Sequence, residues 1–206
     1  MYDKGTATLR PTLSKGNNMI QQDMTGLYHT LHHCSDGYKD HNQGLLCIER
    51  WEPMLPDSRS ILDIGCGNGL LLNELIKRGY LVSGCDVANG PYVRTYPFWK
   101  CDIRDTAIPA GYDLALCFDV LEHIDTDQVI PALANIAQSA ERFVFTIAGY
   151  GEPPTHLTIK SPGWWLNKLV QVFPGHAWHV QVFERDRTDR GEVRPVYLFI
   201  GGPSNE

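Results

Sequence analysis

Long apolar runs, clusters of positive charge and closely paired cysteines are all missing from this chain of 206 residues. No stretch approaches the ~20 apolar residues that span a bilayer, so membrane insertion is not expected. No run of Lys and Arg exceeds two, and the formal net charge is −6. A broad nucleic-acid footprint needs a basic face, so a nucleic-acid partner is not expected either. The segment from Met1 to Asn18 is polar and lacks the apolar centre of a secretion signal. Six cysteines (34, 47, 66, 85, 101, 117) occur without a Cys-x-x-Cys pair. Most fall in or beside expected strands, where the thiol acts as a small core residue, which points to a reducing cytoplasm. Repeats and low-complexity blocks are absent as well.

What remains is an ordinary globular composition, with 43% hydrophobic and 20% charged residues, enough for one well-packed domain. Gly5, Pro11, Gly16 and Asn17-Asn18 mark residues 1–20 as a flexible N-terminal tail. Residues 21–56 read as an N-terminal helical lid or substrate region. It carries His29, His32, His33 and His41, then a helical stretch from Gln43 to Trp51 that ends at Pro53 and Pro56. Residues 57–206 form the main domain.

Within that domain, strand and helix signals alternate. Strands are expected at Ser60–Ile64, Leu81–Asp86, Phe98–Asp102, Leu114–Phe118, Arg142–Ile147, Trp178–Phe183 and Pro195–Ile200. Helices are expected at Gly69–Arg78, Thr126–Ala140 and Pro162–Val172, the last with Ser161 as cap and proline in its first turn. Near-continuous apolar strands alternating with helices give a Rossmann-like, doubly wound α/β sheet, mostly parallel and seven-stranded. No helix separates the last two strands, so they should form a terminal antiparallel hairpin.

The segment Ile61-Leu62-Asp63-Ile64-Gly65-Cys66-Gly67-Asn68-Gly69 is a strand, a tight turn and a helix start. Its glycines let a ligand touch bare backbone, and the helix N-terminus offers unpaired N–H groups. Asp63, Asp86 and Asp102 each fall at or near a strand end, on the edge where open parallel sheets bind ligands. Asp86 follows Gly69 by 17 residues, near the spacing at which a carboxylate accepts hydrogen bonds from a ribose diol. A dinucleotide and an amino-acid nucleoside both satisfy this much. The third glycine comes one place earlier than in the nicotinamide fingerprint, and Asp63 could face an ammonium group.

Together, Asp63-Ile-Gly-Cys-Gly-Asn-Gly69, Asp86, Cys101-Asp102-Ile103 and Phe118-Asp-Val-Leu-Glu-His-Ile124 resemble the class I S-adenosylmethionine-dependent methyltransferases. The resemblance covers residues 60 to 148 and, through the hairpin, extends to about residue 200. It implies that Asp63, Gly65, Cys66, Gly67, Asn68 and Gly69 hold the methionine part of S-adenosyl-L-methionine. Asp86, with Val87 beside it, would take the ribose, and Asp102 with Ile103 the adenine edge. Phe118 would line the pocket beside the sulfonium. The stretch from Asp86 to Phe98 is short for the family, so the helix usual there should be reduced.

Asn/Asp-Pro-Pro-aromatic, the signature of base methylases, is replaced here by Phe118-Asp119-Val120-Leu121. This counts against base methylation. The segment from Thr155 to Trp165 looks like the acceptor-side loop of bacterial small-molecule and glycan methyltransferases, and that resemblance implies a hydroxyl acceptor on a small molecule or glycan precursor. On a helical turn Asp119, Glu122 and His123 would share one face, with His156 in the loop after the fifth strand nearby. This set is similar to the metal sites of the small-RNA 2′-O-methyltransferases and of the ubiquinone-biosynthesis O-methyltransferases, with Asp119 where those have glutamate. It implies a divalent metal (Mn, Fe, Zn or Mg) held by Asp119, Glu122, His123 and His156. Without metal, His123 or His156 would be the general base. Two alternatives stand beside this reading: a metal-dependent RNA 3′-end 2′-O-methyltransferase, and a non-catalytic cofactor-binding regulator in which those four residues fail to converge.

Overall fold

The protein is described by a computed structural model at residues 42–88, 94–151, 154–187 and 193–204. The tail and the four N-terminal histidines lie outside the described residues. Chain order gives α1 (Gln43–Leu46), α2 (Ile48–Trp51), β1 (Ser60–Ile64), α3 (Leu70–Lys77), β2 (Leu81–Asp86) and β3 (Phe98–Lys100). Then follow β4 (Tyr112–Phe118), α4 (Val129–Ile136), β5 (Ala140–Ala148), α5 (Pro162–Val172), β6 (His176–Arg187) and β7 (Val193–Pro203).

These strands form one seven-stranded sheet in the order β3-β2-β1-β4-β5-β7-β6. Five of them, β1 to β5, run parallel, whereas β7 is antiparallel to both β5 and β6. The order reverses between β1 and β4, which places the binding crevice beyond Ile64 and Phe118. Asp113 pins the opposite edge, its carboxylate accepting the N–H groups of Arg59 and Ser60 at 2.8 Å each.

Helical periodicity covers both faces of the sheet. On one side α4 buries Val129, Ala132, Leu133 and Ile136, spaced i, i+3, i+4, i+7, beside Trp165 and Leu169 of α5. On the other, α3 buries Leu71, Leu72 and Leu75 against Ile61 and Leu114, with Ile48 and Trp51 of α2. Each such side chain contributes roughly 1.5–3 kcal/mol through removal from water.

Several boundaries differ from the sequence reading for local reasons. The stretch from Gln43 to Trp51 is two short helices, broken at Cys47, whose φ of −117° is not helical. The helix expected over Thr126–Ala140 is confined to Val129–Ile136. Thr126 gives its hydroxyl to a contact with Thr158 (2.9 Å), and Ser139 turns back onto the Ile136 carbonyl (2.7 Å) so that Ala140 can pair with Tyr112. Strand β3 stops at Lys100, leaving Asp102 in a turn, and residues 94–97 are not helical. Both hairpin strands run longer than expected because they pair with each other beyond the edge of β5.

Candidate active site

The glycine turn after β1 is built around backbone that most residues avoid. Gly65, Gly67 and Gly69 have φ of 75°, 49° and 71°. Gly65 and Cys66 both donate to the Cys85 carbonyl (2.8 and 3.1 Å), tying the turn to β2. Cys66 and Asn68 are buried within it.

Asp86, at the end of β2, is clasped by two backbone donors: Gly67 N–H reaches Oδ2 at 2.9 Å and Ala88 N–H reaches Oδ1 at 2.8 Å. Asp86 therefore orders the glycine turn, at the strand end where the sequence reading expects a ribose. Val87, next to it, is half-buried. Asp63, 3% exposed, sits one strand away. Burial, followed by the charge of Asp86, pushes its carboxyl up to about 8.

Asp102 and Ile103 occupy the turn beyond β3. Ile103 is buried, and its carbonyl accepts from the Asn135 side chain of α4 at 3.1 Å. The Asp102 carboxylate is held by Arg104 through both its backbone N–H (3.0 Å) and its guanidinium. Burial raises this carboxyl, but the Arg104 contacts outweigh burial and leave it below its ordinary value. Phe118 is buried at the end of β4 and packs on Trp51, ring centroids 5.9 Å apart.

Beyond β4 the chain turns sharply through Asp119, whose φ of 53° is left-handed. Leu121–His123 is then a single 3₁₀ turn rather than an α-helix. The consequence is a split in the set that helical spacing would have joined. Asp119 turns to Thr146 Oγ1 (2.9 Å) and to Arg185 Nη1 of β6 (3.2 Å). Glu122, His123 and His156 come together instead, one ligand atom from each lying within 4.8 Å of the others.

This trio is unusually constrained. Glu122 is fully buried; Oε1 accepts the Ala148 N–H at 2.9 Å, while Oε2 meets no hydrogen-bond partner. Burial, then the charge of Asp119, holds its carboxyl well above the usual range. His123 gives its Nδ1 proton to the Thr155 carbonyl at 2.6 Å and packs edge-on to His156, centroids 4.7 Å apart. Burial lowers its pKa to about 4, against the opposing pull of the Thr155 carbonyl, so the ring is neutral at pH 7. His156 likewise gives Nδ1–H to the Tyr150 carbonyl. A carbonyl can only accept, which places a proton on Nδ1 of His156.

With this geometry in place, the family is decided by sequence. Residues 40–186 match the family model described as a methyltransferase domain. The chain belongs to the methyltransferase-domain family. Its sequence is similar to the ubiquinone biosynthesis O-methyltransferase of Aeromonas salmonicida, 28% identical over 143 residues, which is 61% of this chain and 56% of that protein. It is also similar to the chloroplastic magnesium protoporphyrin IX methyltransferase of Arabidopsis thaliana, 25% identical over 69% of this chain and 48% of that one. The chain thus spans about half the length of the curated relatives it matches. The 1,6-didemethyltoxoflavin-N1-methyltransferase of Burkholderia thailandensis, solved with 1,6-didemethyltoxoflavin and S-adenosylhomocysteine bound, shares the fold. Its TM-score is 0.71 at 16% identity, covering 96% of this chain and 95% of that one.

Sequence reasoning missed four residues of this methyltransferase domain. Tyr96 lies over the glycine turn and Arg94 stacks on Phe98 beside it, 3.8 Å from the ring centroid. Thr146 and Arg185 anchor Asp119. Only Arg185 carried a signal: it lies near the end of β6, a strand that finishes on the same sheet edge as β4. Trp164 and Trp165 separate as adjacent helical residues should, Trp165 into the core and Trp164 half-buried between Lys160 and Lys168. Among the described residues no helix is long and apolar enough to cross a membrane.

Proposed function

We propose that this chain transfers a methyl group from S-adenosyl-L-methionine to a hydroxyl of a small molecule or glycan precursor. The observation that carries the cofactor assignment is the Asp86 carboxylate, bonded to the Gly67 N–H that forms the glycine turn. One carboxylate there serves both turn and ribose, with Asp63 for the ammonium end and the turn of Asp102 and Ile103 for the adenine edge. Methyl transfer to oxygen is further supported by the ubiquinone-biosynthesis relative, an O-methyltransferase. The acidic net charge favours a small acceptor over an RNA end.

When bound, the cofactor supplies an already activated methyl group, so the protein's work is alignment and proton management. His156 accepts the acceptor's hydroxyl proton at Nε2, its Nδ1–H still donated to the Tyr150 carbonyl. His123, packed edge-on against that ring, holds it in position. Phe118 keeps water from the end of β4. Convergence of Glu122, His123 and His156 favours turnover over a purely regulatory role.

A second reading rests on Glu122 Oε2, buried without a partner beside two imidazoles. A carboxylate plus two imidazoles suits Zn²⁺, Mn²⁺ or Fe²⁺, and both histidines are fixed through Nδ1 to carbonyls, as ligating histidines commonly are. Such an ion would polarise the acceptor hydroxyl. Asp119 is not among these ligands, being engaged by Arg185. Calorimetry with S-adenosylhomocysteine and with NADH tests the cofactor: binding of the first alone is expected, and binding of the second alone would overturn it. Elemental analysis of purified protein before and after chelation tests the ion. Less than about one-tenth equivalent of any transition metal, with turnover untouched by chelator, would leave His156 as a metal-free base.

A further inference from the structure

Among the described residues, the amide of Gln43 is another buried polar group without a partner. Gln43 is 4% exposed, and neither Nε2 nor Oε1 of its side chain makes a hydrogen bond. Its backbone carbonyl accepts both Cys47 N–H (3.2 Å) and Cys47 Sγ–H (3.1 Å). Burying such an amide unpaired costs about 1–3 kcal/mol, which a purely structural position would avoid with leucine or methionine.

Its location is set by the next residue. Gly44 lies so close to Leu71 and Phe118 that a β-carbon would come within 2.5 Å of each. The Trp51 indole N–H fixes this approach by donating to the Gly44 carbonyl at 3.2 Å. Leu71 belongs to the first turn of α3, just past the glycine turn, and Phe118 ends β4. Gly44 thus seats α1 against the first turn of α3 and the end of β4, the strand that pairs with β1, with Gln43 as the preceding residue of the same short helix.

We infer that Gln43 is a cofactor-specificity residue, its amide binding the zwitterionic amino-acid end of the nucleoside. The inference rests on the cofactor reading above. The chemistry matches in both directions: Nε2–H donates to a carboxylate, and Oε1 accepts from an ammonium group. A neutral amide also tolerates burial in the ligand-free protein, which a lysine or arginine would not without a paired anion.

The test compares two probes, S-adenosylhomocysteine and 5′-methylthioadenosine, which keeps the nucleoside and sulfur but lacks the amino-acid end. Titration calorimetry is run on the wild-type chain, on Gln43→Leu and on Gln43→Glu. Loss of charge-assisted hydrogen bonds should weaken S-adenosylhomocysteine binding roughly tenfold or more in Gln43→Leu, and further in Gln43→Glu through repulsion of the carboxylate. Affinity for 5′-methylthioadenosine should hold in both. The ligand-free melting temperature of Gln43→Leu should stay level or rise, because an unpaired amide is replaced by an apolar group of similar size. Equal losses for the two probes, or a change below about threefold for S-adenosylhomocysteine, would overturn the assignment. If wild-type protein binds neither probe, the cofactor reading fails first and takes this one with it.

Discussion

Tyr96 presses its hydroxyl onto Gly69 so closely that a β-carbon there would lie 2.0 Å from the oxygen. Gly69 has φ of 71° and caps α3. Two independent penalties therefore fall on Gly69→Ala: the left-handed backbone, about 1–2 kcal/mol, and displacement of Tyr96. Denaturant midpoints should show the double variant Gly69→Ala/Tyr96→Phe recovering the second penalty but not the first. If the double variant is no more stable than Gly69→Ala, Tyr96 is not the obstacle.

Asp86 clasps the glycine turn and, in the proposed reading, also holds the ribose, so removing it should show two effects. In Asp86→Ala, the Gly67 and Ala88 N–H groups lose their acceptor, lowering ligand-free stability by about 1–3 kcal/mol. Affinity for S-adenosylmethionine should fall by a further ~1–3 kcal/mol, the scale of a charged acceptor lost from ligand hydroxyls. Calorimetry separates the two effects. A stability loss without an affinity loss would reduce Asp86 to a turn clasp.

Asp63 makes stability depend on pH in a defined direction. Its folded pKa is raised from 3.8 to about 8 by burial and then by Asp86. Between those values the unfolded chain has released a proton that the folded chain retains. This contribution is complete below pH 3.8 and is lost as pH rises through 8, at up to about 1.4 kcal/mol per pH unit. Asp63→Asn should flatten that part of the melting profile relative to wild type. A cationic amino group binding beside Asp63 would restore its charge. Cofactor uptake should then release a proton below pH 8, visible as buffer-dependent heat. No buffer dependence would mean that Asp63 is not re-ionised by the ligand.

Arg185 anchors the left-handed turn at Asp119 from a distant strand. Burial raises the Asp119 carboxyl, and the guanidinium is the largest influence opposing this. Arg185→Met should cost about 1.5–3 kcal/mol in denaturant stability, the worth of a hydrogen bond to a charged group. Affinity for S-adenosylhomocysteine should be unchanged, since the glycine turn is untouched. A matching loss of affinity would place Arg185 on the cofactor side.

How much of this was legible in the chain depended on whether the signal was local. Strands β1 and β2 and helix α5 match their expected bounds because apolar runs, glycine and the Ser161-Pro162 start are all local signals. For the same reason Asp63, the glycines and Asp86 lie at the strand ends where periodicity locates them. The acceptor side was less legible. Spacing of Asp119, Glu122 and His123 suggested one helical face, but a left-handed residue and a 3₁₀ turn replaced the helix. That conformation is supported by Thr146 and Arg185, 27 and 66 residues away. Tertiary partners override local spacing, and no window of sequence shows them. Gln43 illustrates the same limit, for only burial shows that its amide has been left unbonded.

Because β7 runs against its neighbours, β6 finishes and β7 begins on the edge where β1, β2 and β4 deliver Asp63, Asp86 and Phe118. Arg185 and Arg194 approach Tyr150 from that returning pair, with no residue of the glycine turn involved. In the proposed reaction the two halves would thereby draw on different stretches of chain. Exchange of the hairpin between relatives should re-aim the domain at new acceptors while the nucleoside grip stays as it was.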